Sequence, residues 1–144
     1  MIFKCLLVIN CHYKFLSRGV YNFVFLGLRY AEKLDVAENL ITEIQKRAFV
    51  ELYLVVVNVS HNALTSIEVG SFENCANMTV LDLSYNNITK IPRLAFDSIS
   101  YAANLLLQYN QIEDFSTIPL ANMSGLQVLN VSHNAINVIA RYEN

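Results

Sequence analysis

The sequence predicts an α/β solenoid: stacked coils, each giving one short parallel strand to a concave sheet, with irregular or short helical turns on the convex side. Three observations predict it. The hexapeptide NVSHNA stands at residues 58–63 and again at 130–135. Sliding the chain against itself gives a period of about two dozen residues. One slot of every unit is Asn.

Five segments align: LDVAENLITEI from Leu34, VNVSHNALTSI from Val57, LDLSYNNITKI from Leu81, LLLQYNQIEDF from Leu105 and LNVSHNAINVI from Leu129, spaced 23, 24, 24 and 24 residues. Their first, third, eighth and eleventh positions are all apolar. By chance at the chain's 54% apolar rate this has odds on the order of one in 10^5. The alternation at positions one and three is strand periodicity, so these side chains point into the core. A turn must follow, and position six supplies Asn39, Asn62, Asn86, Asn110 and Asn134. An Asn amide can bond buried backbone groups of the neighbouring coil, so the five form a structural ladder.

The second half of the unit repeats as well. Ten residues after the Asn stand Phe49, Phe72, Phe96 and Leu120, and three further on Leu52, Cys75, Ile99 and Met123. The Phe column fills the far side of each coil. Cys75 falls in that core column and reads as a small buried hydrophobe. One coil cannot bury both its faces, so the coils must stack.

These units resemble the leucine-rich repeat, L-x-x-L-x-L-x-x-N-x-L-x-x-L/I-P-x-x-x-F. LDLSYNNITKIPRLAF at 81–96 matches it down to Pro92. The resemblance covers about residues 31–144, read as five repeats without a C-terminal cap. Units of 24 residues with LDLSYN and NVSHN cores are similar to Toll-type receptor ectodomains, adhesion proteins and insect leucine-rich immune proteins. That resemblance implies an extracellular module that binds protein. Residues 1–30 depart from the pattern. LLVINCHYKFL fits only as a degenerate unit, with Leu6 first, Val8 third and Cys11 in the Asn slot. MIFKCLLVINC has the charge-then-apolar order of a secretory signal, but its run at residues 5–9 is shorter than about 7–15 residues. No Cys-rich N-terminal cap is seen, and Asn144 stands where the next Phe is due. An apolar solenoid end is poorly soluble when bare. The expectation is a fragment, an incomplete sequence, or an end covered by a partner, homo- or hetero-oligomers included.

Composition excludes other classes. With 10 Lys+Arg against 12 Asp+Glu there is no basic stripe for nucleic acid. No apolar run reaches the roughly 18 residues of a membrane helix, so a membrane enters only through a longer receptor. Three Cys without C-x-x-C give no zinc spacing. Cys5 and Cys11 have the option of pairing in an oxidising compartment. Four Gly leave no phosphate loop. His61 and His133 lie three strand steps apart, roughly 14 Å, too far to share an ion held at about 2 Å. Ser60 and Ser132 adjoin those His but point to different sides of the local backbone, so neither pair forms a relay. No enzyme, cofactor, metal or small-molecule substrate is expected.

Positions two, four, five and seven are expected to face outward on the concave sheet. Position five reads Glu38, His61, Tyr85, Tyr109 and His133. Aromatic side chains in such a column suit a protein-binding strip, to which Asp82 and Gln108 are added. Glycosylation sequons stand at Asn58, Asn77, Asn87, Asn122 and Asn130. Those at Asn58 and Asn130 follow from the repeat template; the other three are independent of it. They favour a secreted or cell-surface protein for recognition or adhesion, in innate immunity by analogy. The alternatives are a cytoplasmic scaffold that regulates an enzyme or complex, and an inert fragment of a larger receptor. A glycan on Asn58 or Asn130 would block part of the strip.

Overall fold

The computed structural model describes residues 7–10, 31–50, 56–75, 78–99 and 101–137. Leu52, the Asn77 sequon, Cys5 and Cys11 lie outside them. The strands are β1 (Leu7–Asn10), β2 (Ala31–Asp35), β3 (Glu43–Ile44), β4 (Val56–Asn58), β5 (Ser66–Ile67), β6 (Val80–Asp82), β7 (Asn104–Leu106) and β8 (Val128–Asn130). Six of them form one parallel sheet in the order β1-β2-β4-β6-β7-β8, and β3 and β5 pair separately.

Register follows the repeat. Leu34, Val57, Leu81, Leu105 and Leu129, the five first positions, are opposite one another in turn. Parallel pairing puts like on like, so each column is one residue type or one role. The first-position side chains are buried from Leu34 to Leu105, as are Val36, Val59, Leu83 and Leu107 at position three. On the return side Phe49 stacks on Phe72 with centroids 5.1 Å apart, and Phe72 meets Phe96 at 6.1 Å. Burying each such ring is worth roughly 1.5–3 kcal/mol, which explains why the column is aromatic. Cys75 is buried and outside any disulfide, and its Sγ donates to the Phe49 carbonyl at 3.1 Å.

The return carries no α-helix among the described residues. It is built of β3 and β5, turns, and one short 3-10 segment at Phe115–Thr117. Pro92 opens the turn of the third coil, whose Ala95 N–H donates back to the Pro92 carbonyl at 2.9 Å.

The Asn ladder runs as the repeat requires. Asn86 Oδ1 accepts the Leu64 N–H at 2.9 Å, and its Nδ2 donates to the Val59 and Leu83 carbonyls at 3.1 Å. Asn62, Asn110 and Asn134 repeat these bonds one coil away. Asn39, in the first of the five coils, donates to Val36 and Ala37. Every bond between coils runs from an Asn to the preceding coil. The Oδ1 bond gives the position-eight N–H of the preceding coil a partner it would otherwise lack, at about 1–3 kcal/mol apiece, while each position-three carbonyl accepts from two successive Asn amides.

Two expectations change. Strand β1 does pair with β2, but Ile9 stands opposite Leu34. The degenerate unit is therefore set three residues later than Leu6 as its first position, and β1 has an irregular step between Leu7 and Val8. Position four does not face outward in the first three of the five coils: Ala37, Ser60 and Ser84 are buried. A side-chain turn at position two tucks it in, and the following coil covers it. Asp35, Asn58, Asp82 and Asn130 each accept the position-four N–H through Oδ1, at 3.0–3.1 Å. This curls the chain over position four, a conformation Asx side chains favour.

Candidate functional site

Position five is where the backbone departs most from a strand. Glu38, His61, Tyr85, Tyr109 and His133 all have positive φ, between 53° and 57°. For bulky L-residues this left-handed region costs roughly 1–2 kcal/mol each. Each of the first four N–H groups nevertheless donates to the position-four carbonyl of the next coil: Glu38 to Ser60, His61 to Ser84, Tyr85 to Gln108 and Tyr109 to Ser132, at 3.0–3.1 Å. The backbone bond persists while the side chain swings to the edge of the sheet.

There the rings stack. His61 lies on Tyr85 at 4.1 Å, Tyr85 on Tyr109 at 4.3 Å, and Tyr109 on His133 at 4.2 Å, with interplanar angles of 7° to 13°. The spacing is slightly less than that of the strands, so the rings lean together. Aromatic pairs contribute about 0.5–1.5 kcal/mol beyond burial, enough to offset much of the strain. Glu38 heads the same column and is exposed. Tyr85 and Tyr109 keep 40% and 41% of their surface open. Partial desolvation, with Tyr109 beside it, pushes the Tyr85 hydroxyl above its ordinary pKa. The result is a continuous ridge of four rings, flat faces inward and edges to solvent.

Next to the ridge lies the open sheet face. It is lined by position two and by the residue just before each unit. That second column reads Lys33, Val56, Val80, Asn104 and Val128, half-buried except for the exposed Val128. Sequence reasoning missed it because these residues precede the aligned core. The strand alternation was the signal that would have found it: position zero shares a face with position two. Lys33 Nζ meets Asp35 Oδ2 at 3.0 Å. Burial opposes ionisation of Asp35, but Lys33, the Ala37 N–H and the Asn58 amide outweigh it and hold the carboxyl below its usual pKa.

The expected strip therefore divides. His61, Tyr85, Tyr109 and His133 come together as the ridge, with Glu38 at its head. Asp82 is half-buried, and its Oδ1 is engaged by Ser84 N and Oγ, at 3.0 and 2.6 Å. Gln108 is turned partly inward, and its Oε1 is buried without a hydrogen-bond partner. It sits in the one coil whose position two is apolar, Leu106, so no Asx oxygen closes the turn beneath it. Asn58 and Asn130 are half-buried on the face, while Asn87 and Asn122 are exposed and lie off its strands. His61 and His133 are separated by both tyrosines and share no site. No group of three His, Cys, Asp or Glu able to hold a metal occurs among the described residues. Nor is any helix among them long and apolar enough to cross a membrane.

A family model described as leucine rich repeat matches residues 53–112. That span contains the second and third coils and Tyr85 and Tyr109 of the ridge. No curated protein matches the chain.

Proposed function

Starting from a chain that is a leucine-rich repeat solenoid of about 24 residues per coil, we propose that it is an extracellular recognition or adhesion module, binding a protein through the ring ridge and the adjoining sheet face. Such domains are in general protein-interaction modules and typically non-catalytic. The observation that carries the proposal is the ridge: four rings in contact, held in a strained backbone, and left open to solvent. Rings packed this way are already ordered, so a partner loses little side-chain entropy on meeting them. Tyr is among the residues that dominate interface energetics. The valines at position zero supply apolar area beside it. An extracellular setting is supported by the sequons at Asn77, Asn87 and Asn122, which the repeat template does not require. A role in innate immunity rests on likeness to the repeat type alone.

The experiment is a binding screen of the secreted chain against displayed extracellular and cytosolic proteins. For any binder found, Tyr85→Ala with Tyr109→Ala should weaken affinity at least tenfold. Leu94→Ala, an exposed position on the return side, should leave it unchanged. Equal sensitivity on both sides, or binders found only among cytosolic proteins, would overturn the reading; the second outcome points to an intracellular scaffold.

A further inference from the structure

The Asn-x-Ser/Thr signals are chemically alike in sequence but not in their surroundings. Asn58 lies in the interior of the sheet, with Asp35 opposite on one side and Asp82 on the other. Its Oδ1 accepts the Ser60 N–H at 3.1 Å, and its amide bonds the Asp35 carboxylate. Ser60, the third residue of its signal, is buried. Neighbouring strands are about 4.8 Å apart, so a sugar on Asn58 would have to rise between two flanking carboxylates.

Asn87 and Asn122 differ in exposure and in their place on the coil. Both are exposed, and so are Thr89 and Ser124, the third residues of their signals. The Asn87 backbone is pinned, its N–H donating to the Leu64 carbonyl at 2.8 Å, while its side chain faces solvent just past the ladder. The Asn122 Nδ2 donates to Asp97 Oδ1 of the previous coil. A primary amide has two hydrogens, so one can be replaced by a sugar while the other still serves Asp97. Neither residue stands on a strand of the sheet face.

We propose that Asn87 and Asn122 carry N-glycans and that Asn58, despite its signal, stays bare. The transfer uses an oligosaccharide linked to a polyisoprenyl diphosphate. The Asn Nδ2–C1 bond forms, the C1–O bond to the diphosphate breaks, the lipid diphosphate leaves, and the amide gives up one proton. This deepens the extracellular reading and rests on it. It also resolves the conflict between sugar and binding in the interior of the sheet: the glycans cover the turn and the return while the Asn58 stretch stays open. Asn130, flanked by Leu106 on its one described side, is not assigned.

The test expresses the full chain behind an added, cleavable secretion leader in eukaryotic cells. Glycans are then released enzymatically in heavy-oxygen water, which converts each occupied Asn to a labelled Asp. Label is expected at Asn87 and Asn122 and not at Asn58. Asn87→Gln and Asn122→Gln should each remove one glycan's worth of mass, and Asn58→Gln none. A bare Asn87 or Asn122, or a glycan on Asn58, overturns the proposal. Because the added leader supplies the route, this result is independent of the native address. Failure of the extracellular reading shows instead in the binding screen.

Discussion

The two copies of NVSHNA share six residues and one backbone, yet they live in different surroundings. His61 and His133 have φ of 54° and 53°. Asn58 and Asn130 close the same turn, each accepting at 3.1 Å. Asn62 and Asn134 accept from Ile41 and Ile112 at the same 3.0 Å. Burial is not copied. Val59 and Ser60 are buried, whereas Val131 is half-buried and Ser132 exposed. The reason is direction. The ladder reaches back to the preceding coil, which both copies have. Cover on the other side comes from the following coil, which among the described residues only the first copy has. Conformation is thus set by the hexapeptide and its predecessor, and burial by its successor.

The sharpest way to break that comparison is the ladder itself. Asn86→Ala strands the Leu64 N–H in the core and takes one of two amide donors from the Val59 and Leu83 carbonyls, and it should cost about 1–3 kcal/mol, read as a lower midpoint in urea. Asn134→Ala should cost no more than half as much, because the last described coil can open without the rest. An unchanged melt for Asn86→Ala would remove the ladder from the account of stability. Next come the valines of the two copies. Val59→Ala should destabilise by about 2 kcal/mol and Val131→Ala by less than about 1, in proportion to buried area; equal values would show that the last coil is covered after all.

A smaller effect tests the ridge. Tyr85→Ala loses two ring contacts and keeps the positive φ, costing about 1–2 kcal/mol. Tyr85→Gly loses the same contacts but relieves the strain, so it should be the more stable of the two, by roughly 1 kcal/mol. The reverse order would mean that position five is not held left-handed in solution. The smallest concerns Asp35. Its folded pKa lies below the unfolded one, so its contribution is present above the ordinary aspartate value of about 3.9. It is lost as pH falls through the lower folded value. Asp35→Asn should flatten the acid limb of a stability-against-pH curve by under about 1 kcal/mol, since Lys33 is 40% exposed and screened.

Much of this fold can be read from the chain, and the reason is periodicity. Leu81, Asn86, Ile88 and Phe96 recur as types because parallel stacking places each on its own kind. What escaped reading has no such signature. The left-handed turn is filled by Glu, His and Tyr rather than Gly, so nothing marks it. Ser60 and Ser84 are polar and small, and their burial depends on a turn made by the residue two before. The column from Val56 to Val128 begins one residue ahead of the repeat core. Gln108 departs because Leu106 replaces an Asx. The division of the sequons into exposed and enclosed sites needed the coordinates.

The backward reach of the ladder bears on how the chain is born. A coil leaving the ribosome has an amide at position eight that no atom of its own coil satisfies. Its acceptor sits 22 residues downstream, as Leu64 waits for Asn86. At about 5–20 residues per second, that gap lasts roughly one to four seconds. Each turn of the nascent protein is therefore finished by the one after it, and folding trails synthesis by one coil.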